Sequence, residues 1–241
     1  MRDLIRRAGV TAGATALVLG ASAGAAAAST GAPASHLYWA NNQAGTIVEA
    51  GLNGTSAHVI ASSQHGPRGV AVGASHLYWA NEAAGTIVEA GLNGTSAHVI
   101  ASGQAQPLGV AVDASHLYWA NLNAGTIEEA NLDGTSAHVI ASGQLFPAGV
   151  AVDASHLYWS NQGTVTNPGT IVAANLDGTG AKTIASHKGS MFGVAVNASH
   201  LYWANQGTSP AGTIHEANLD GTSAKVIASS QNGPTGVAVG P

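Results

Sequence analysis

The hexapeptide His-Leu-Tyr-Trp-Ala-Asn occurs at residues 36–41, 76–81, 116–121 and 200–205, and again at 156–161 with Ser160 in place of Ala. All five Trp and all five Tyr of the 241-residue chain lie inside these copies. Around them a longer unit repeats. Residues 34–73 and 74–113 agree at 33 of 40 positions, and further copies run over 114–153, 154–197 and 198–241. A unit that carries its large side chains at one fixed place cannot bury them alone, so it must stack on its own copies. A period near 40 residues fits either propeller blades or paired-helix repeats. Paired helices need Gly-poor stretches with a 3.6-residue apolar period, and no copy contains one.

Each copy resolves instead into four short strands separated by turn signals. In the second, strand A is Gly69-Val70-Ala71-Val72, small and apolar, as the crowded innermost position of a blade requires. Strand B is His76–Asn81, with Leu77 and Trp79 on one face and His76 and Tyr78 on the other. Strand C is Gly85–Leu92, and strand D is Ala97–Ala101. Asn93-Gly94 between C and D reads as a hairpin turn, because both residues tolerate positive φ. His98 in strand D becomes Lys182 and Lys225 later, which suits a solvated outer edge.

The first copy begins at strand B with no Gly-Val-Ala-Val before it, and the chain ends on Gly236-Val237-Ala238-Val239 with no strand B after it. Those halves make one blade. The expected fold is therefore an all-β propeller of five four-stranded blades, closed by the C-terminal strand pairing with the N-terminal blade.

The start of the chain reads as a targeting segment. Arg2, Arg6 and Arg7 precede an apolar run, Ala8–Gly20, too short to span a bilayer, and Ala-rich sequence follows to Ala28. Residues 1–28 are expected to be a secretory signal and 29–33 a linker, which predicts a secreted or extracytoplasmic domain without a membrane span. Beyond residue 28, four basic residues (Arg68, Lys182, Lys188, Lys225) stand against eleven acidic ones, leaving about −7. Nucleic-acid binding needs clustered Lys and Arg, which this charge distribution lacks. With no Cys, disulfides and thiolate metal sites are excluded.

The blade pattern resembles the YWTD repeat of the low-density lipoprotein receptor class. Tyr-Trp stands in strand B, an Asn-Leu-Asp-Gly turn follows strand C at 131–134, 175–178 and 218–221, and Ala-Val-Asp closes strand A at 111–113 and 151–153. The resemblance covers essentially the whole chain after residue 33. It implies the propeller fold and a tendency to bind proteins, and it carries over no ligand. Four features depart from that class: Tyr-Trp-Thr-Asp is here Tyr-Trp-Ala-Asn or Tyr-Trp-Ser-Asn, the first two copies read Gly-Leu-Asn-Gly at the later turn, the count is five blades where the family has six, and no Cys-rich module flanks the array.

The strand-B histidines (His36, His76, His116, His156, His200) form one ring of equivalent positions, each on a separate blade and too far apart to share an ion. Glu49, Glu89, Glu129 and Glu216 recur in strand C, and Asp113 and Asp153 follow strand A. Calcium needs six to eight converging oxygens, so these carboxylates read as solvated faces and turn caps. Asn53, Asn93 and Asn197 head formal glycosylation sequons that also read as turns. Neither a metal nor a cofactor is expected, and near-identical repeats do not supply the asymmetric residue set that catalysis requires.

Differences between copies collect in two places. The B–C loop runs Asn42-Gln43, Glu82-Ala83 and Leu122-Asn123, then lengthens to 162–168 and 206–211. The D–A loop varies over 65–68, 105–108, 145–148, 187–192 and 232–235. Strands B and D of an antiparallel blade end on the same side, so both loops emerge on one face of the disc. Functional variation on a rigid scaffold concentrates in such loops. The expected interaction surface is this face, centred on Arg68, Leu108, Phe146, Lys188, Met191 and Phe192, with an extracellular protein or glycan as partner. The competing reading is a propeller enzyme of lyase or lactonase type with a metal near the central channel.

Overall fold

The computed structural model describes residues 36–164, 166–207 and 212–239. Every regular element among them is a β-strand, and no helix is long and apolar enough to cross a membrane. The signal-peptide expectation falls on residues 1–28, outside the described residues.

Five antiparallel sheets follow one another as blades of a β-propeller. Blade one holds β1 (His36–Asn41), β2 (Thr46–Gly51) and β3 (His58–Ala61). Blade two holds β4 (Pro67–Val72), β5 (His76–Asn81), β6 (Thr86–Gly91) and β7 (His98–Ala101). Blade three holds β8 (Pro107–Val112), β9 (His116–Asn121), β10 (Thr126–Asn131) and β11 (His138–Ala141). Blade four holds β12 (Pro147–Val152), β13 (His156–Asn161), β14 (Gly169–Asn175) and β15 (Lys182–His187). Blade five holds β16 (Met191–Val196), β17 (His200–Asn205), β18 (Gly212–Asn218) and β19 (Lys225–Gln231).

The alternation in strand B decides the core. Leu117 and Trp119 of blade three pack on Tyr78 and Ala80 of blade two, and the same pattern joins the next blades. Trp79, Trp119 and Trp159 are fully buried. Burying an indole of this kind contributes roughly 5 kcal/mol of transfer free energy, an upper value.

Innermost, one strand from each of blades two to five lies along the axis, and glycine sets their spacing. A Cβ on Gly69 would lie 2.4 Å from the Leu108 carbonyl oxygen, one on Gly109 2.4 Å from that of Ala148, and one on Gly149 2.6 Å from that of Phe192. Gly193 meets Gly236 in the same way, with Gly193 N–H donating to Thr235 O at 2.9 Å. Ser160, the one departure from Ala in the hexapeptide, is fully buried here. Its hydroxyl accepts from Gly149 N–H at 2.9 Å and donates to the Phe192 carbonyl, tying two inner strands together.

Two details stand beside the expected five-blade propeller. Among the described residues the first sheet has three strands, and no ladder joins residues 236–239 to β1. The C-terminal segment lies beside β16 at Gly193, while Leu37 of β1 stays 42% exposed where Leu77 is fully buried. Residues 234–239 nevertheless take the inner-strand place that follows β16, through the same glycine contact that joins the inner strands of blades two to five. The C–D turn is also longer than a two-residue hairpin. Gly94 takes φ +79° and Ser96 φ +58°, whereas the Asn93 side chain accepts from Thr95 N–H and Oγ1 at 3.2 and 2.7 Å. Asn93 caps the turn with its amide oxygen, so the positive φ falls on residues either side of Thr95.

Candidate functional site

Both variable loops meet on one face, and backbone hydrogen bonds hold them together. Glu82 N–H donates to Gly66 O, Leu122 N–H to Gln106 O, Gln162 N–H to Phe146 O and Gln206 N–H to Ser190 O, at 2.9–3.1 Å. In blades one to three the D–A loop also reaches the B–C loop of its own blade, Gln64 N–H donating to Gly45 O, Gln104 N–H to Gly85 O and Gln144 N–H to Gly125 O at 2.9 Å. These three D–A loops therefore each clamp two neighbouring B–C loops.

Side chains extend the clamp. Gln64, Gln104 and Gln144 each accept, through Oε1, from the Trp Nε1 and the Asn Nδ2 of the following blade, at 2.7–3.0 Å. The fourth junction breaks the pattern. Lys188 stands at the Gln position, His187 just before it contacts Asn205 at 2.5 Å, and Trp203 Nε1 is buried without a partner among the described residues. His215 stacks on Trp203 at 5.1 Å, and burial, helped by neighbouring His187, lowers its pKa.

At the centre of this loop face is a cavity of about 170 Å³. The residue one past the start of each inner strand points into it: Arg68, Leu108, Ala148 and Phe192, with Thr235 in the C-terminal segment. Glu82, Leu122 and Gln162, each the first residue after its strand-B Asn, line it from the B–C loops, and Gly109, Gly149 and Gly193 complete the wall. The lining is mostly apolar. Its one ionic feature is the pair Arg68 Nε–Glu82 Oε2 at 2.6 Å, in which the guanidinium is already engaged.

Three of the six expected face residues, Arg68, Leu108 and Phe192, therefore converge on the axis. Phe146 and Lys188 are exposed on the surrounding loops, Phe146 at φ +55°. Met191 is different. It stands where the other inner strands begin with Pro, and it is fully buried in the core between blades four and five. Its burial follows from the Gly-Val-Ala-Val alignment, which puts Phe192 and not Met191 at the axial position. Ala148, Thr235, Glu82, Leu122 and Gln162 were not among the expected residues; the fixed offset from that alignment identifies all of them.

The recurring carboxylates also depart from expectation. Glu49, Glu89 and Glu129 are at most 9% exposed, not solvated. Glu89 lies 3.7 Å from His76 Nδ1 and 3.5 Å from His98 Nε2, and Tyr78 Oη donates to it at 3.3 Å. Strands B and D flank strand C and bring these donors over the carboxylate, which compensates its burial. Burial, then the adjacent carboxylate, pushes Tyr38 and Tyr78 up to about 12. The strand-B histidines are thus partners of carboxylates within their own blades. Asp113 and Asp153 cap turns, each accepting from two backbone N–H groups at 2.7–2.8 Å. Among the described residues no three His, Asp or Glu are placed to hold a metal ion.

Comparison with known proteins follows this geometry. No family model matches the chain, and no curated protein does. Solved structures do. A chain of the nidogen/laminin complex aligns with TM-score 0.74 at 23% identity, over 85% of this chain and 80% of that one. A gluconolactonase from Xanthomonas campestris aligns with TM-score 0.65 at 18% identity, over 84% and 74%. Streptogramin B lyase aligns with TM-score 0.64 at 14% identity, over 85% and 70%. What these share with the chain is the β-propeller fold. A partner-bound protein and two enzymes stand on the same scaffold, so chemistry has to be argued from the loop face.

Proposed function

We propose that the chain is an exported, non-enzymatic propeller that binds a partner protein through the B–C/D–A loop face and seats one apolar side chain of that partner in the axial cavity. The observation carrying this reading is the cavity lining. Five nearly identical repeats put five different residues (Arg68, Leu108, Ala148, Phe192 and Thr235) at one equivalent position. A purely structural position in these repeats keeps its residue, as Trp and Tyr of strand B do. Apolar walls of this volume suit a Leu- or Phe-sized group, and Arg68 paired with Glu82 offers a polar rim for orientation. Exported location is supported by the basic-then-apolar start of the sequence.

The competing reading is a lactonase- or lyase-type enzyme, favoured by the likeness to two such enzymes. It needs a set of polar groups converging on substrate, and the cavity supplies one ion pair with Gln162 and Thr235 in a mostly apolar wall.

Selection of random displayed peptides on the immobilised protein tests the proposal. Selected peptides should share one apolar anchor, and their binding should fall by at least about tenfold in Leu108→Ser and Phe192→Ser, as expected of a buried anchor contact. Peptides that bind both variants as well as wild type would refute the cavity reading. Turnover of lactone substrates by the purified protein would favour the enzyme.

A further inference from the structure

The axial cavity holds a group that an apolar anchor leaves unused. Among the described residues the Arg68 side chain makes one hydrogen bond, Nε donating to Glu82 Oε2 at 2.6 Å. A guanidinium carries five N–H donors in a planar fork. The four on the two Nη atoms therefore have no acceptor among the described residues, although the side chain lines a mostly apolar wall. Of the four basic residues after residue 28, Arg68 is the one in that wall. With Nε held by Glu82, the edge formed by the Nη pair stays available, and that edge matches the two oxygens of a carboxylate.

The surroundings decide what carries the carboxylate. A Cβ on Gly69 would lie 2.4 Å from the Leu108 carbonyl oxygen, so Arg68 and Leu108 stand on inner strands in direct contact. Acceptor oxygens at Arg68 and an apolar group against Leu108 must then lie close together. In a C-terminal residue they do, because the carboxylate and the side chain share one Cα. The backbone round the mouth is also spent: Leu122 N–H donates to Gln106 O and Gln162 N–H to Phe146 O, at 3.0 and 3.1 Å. An extended internal segment finds no ladder to pair with there, which leaves side chains and an end group as the means of recognition. The wall takes a residue from each inner strand and one from the C-terminal segment, so an internal segment would have to enter and leave by the same mouth, whereas a chain end enters once.

We infer that the cavity captures the C-terminal residue of its partner polypeptide, with an apolar side chain against Leu108 and Phe192 and the terminal carboxylate on the Nη pair of Arg68. The inference rests on the partner-binding reading above and narrows it to a chain end.

The probes are N-acetylated pentapeptides, Gly-Ser-Gly-Ser followed by Leu, Ile, Val, Met or Phe. Each is made as the free acid and as the C-terminal amide and titrated into the full chain by calorimetry. The best free acid should bind at least about tenfold tighter than its amide, as expected for hydrogen bonds to a charged group. Arg68→Gln should bring the acid down to the affinity of the amide, and Leu108→Ser should weaken both forms together. Four results overturn the inference. Acid and amide binding equally, both weakened by Leu108→Ser, removes the carboxylate and leaves the apolar anchor standing. A preference for the acid that persists in Arg68→Gln places the carboxylate elsewhere. N-acetyl-leucine binding as tightly as the best pentapeptide assigns the cavity to a small carboxylic acid. No binding of any peptide at millimolar concentration overturns the anchor reading as well.

Discussion

Replacing Gly109 by Ala isolates the contact that sets the blade spacing. The added Cβ would lie 2.4 Å from the Ala148 carbonyl oxygen, 2.8 Å from Val150 N and 3.0 Å from the Gly149 Cα. All three are backbone atoms, so no side chain can swing away. Reaching an ordinary C···O separation of roughly 3.3 Å requires β8 and β12 to part by about 0.9 Å. That movement opens the packing of Trp159 and Val150 against blade three as well. Overpacking costs typically 1–3 kcal/mol, and a rigid wall puts this site near about 3 kcal/mol. Gly103→Ala is the control. Gly103 has φ +72° and nothing within 4 Å of a Cβ, so Ala there meets only the left-handed backbone penalty of about 1 kcal/mol. Thermal unfolding followed by Trp fluorescence should place Gly109→Ala roughly 6–12 °C below wild type and Gly103→Ala about 2–4 °C below. If Gly109→Ala melts no lower than Gly103→Ala, the close approach of inner strands is not what fixes the blades.

Four further substitutions, one of them a control, probe the junctions and the loop face. Gln104→Ala strands the buried Trp119 donor and removes one acceptor of Asn121, which keeps Glu128 at 2.7 Å, and should cost about 2 kcal/mol in urea unfolding; Gln231→Ala, whose side-chain amide among the described residues reaches Ser229 O in its own blade, should stay within about 0.5 kcal/mol. His215 has a lowered pKa, so the unfolded chain binds its proton more readily and stability falls as pH drops below the ordinary histidine range. His215→Val, which restores the residue found at positions 48, 88 and 172, should flatten that part of the melting-temperature profile between about pH 7.5 and 5; an unchanged slope would show that other groups carry the acid sensitivity. Phe146 sits at φ +55° where blade one has Gly66 at φ +69°. Phe146→Gly should therefore stabilise the fold by about 1 kcal/mol, read from the unfolding midpoint, and a melting temperature below wild type would mean that the exposed ring makes packing contacts.

Much of this fold was legible because the repeat reports each boundary five times. Strand B was expected at His76–Asn81 and is found there, and strand D was expected at Ala97–Ala101 and runs from His98. The meeting of the two variable loops on one face also follows from antiparallel geometry, and the bonds from Glu82 to Gly66 and Leu122 to Gln106 realise it. Other features lay beyond strand periodicity. An amphipathic pattern says which face is buried but not whether a carboxylate on it finds donors, so Glu89 between His76 and His98 was placed in solvent. The Gln latches carry no such signal although Gln64, Gln104 and Gln144 recur at one offset, because a polar residue in a loop shows no packing pattern.

The closure illustrates a deeper limit. Complementary half-blades at the two ends of an array show that β1 lacks an inner strand and that residues 236–239 lack a partner, but not that the two can meet. Whether they meet depends on the angle between blades, which is set by contacts such as Gly69 on Leu108 and Gly193 on Gly236 and not by the number of repeats. The repetition that makes the scaffold easy to read repeats that contact at each step, Gly193 on Gly236 included, and the positions that break it, Arg68 to Thr235 around the axis and His187 with His215 at the fourth junction, are where this chain differs from a generic stack of blades.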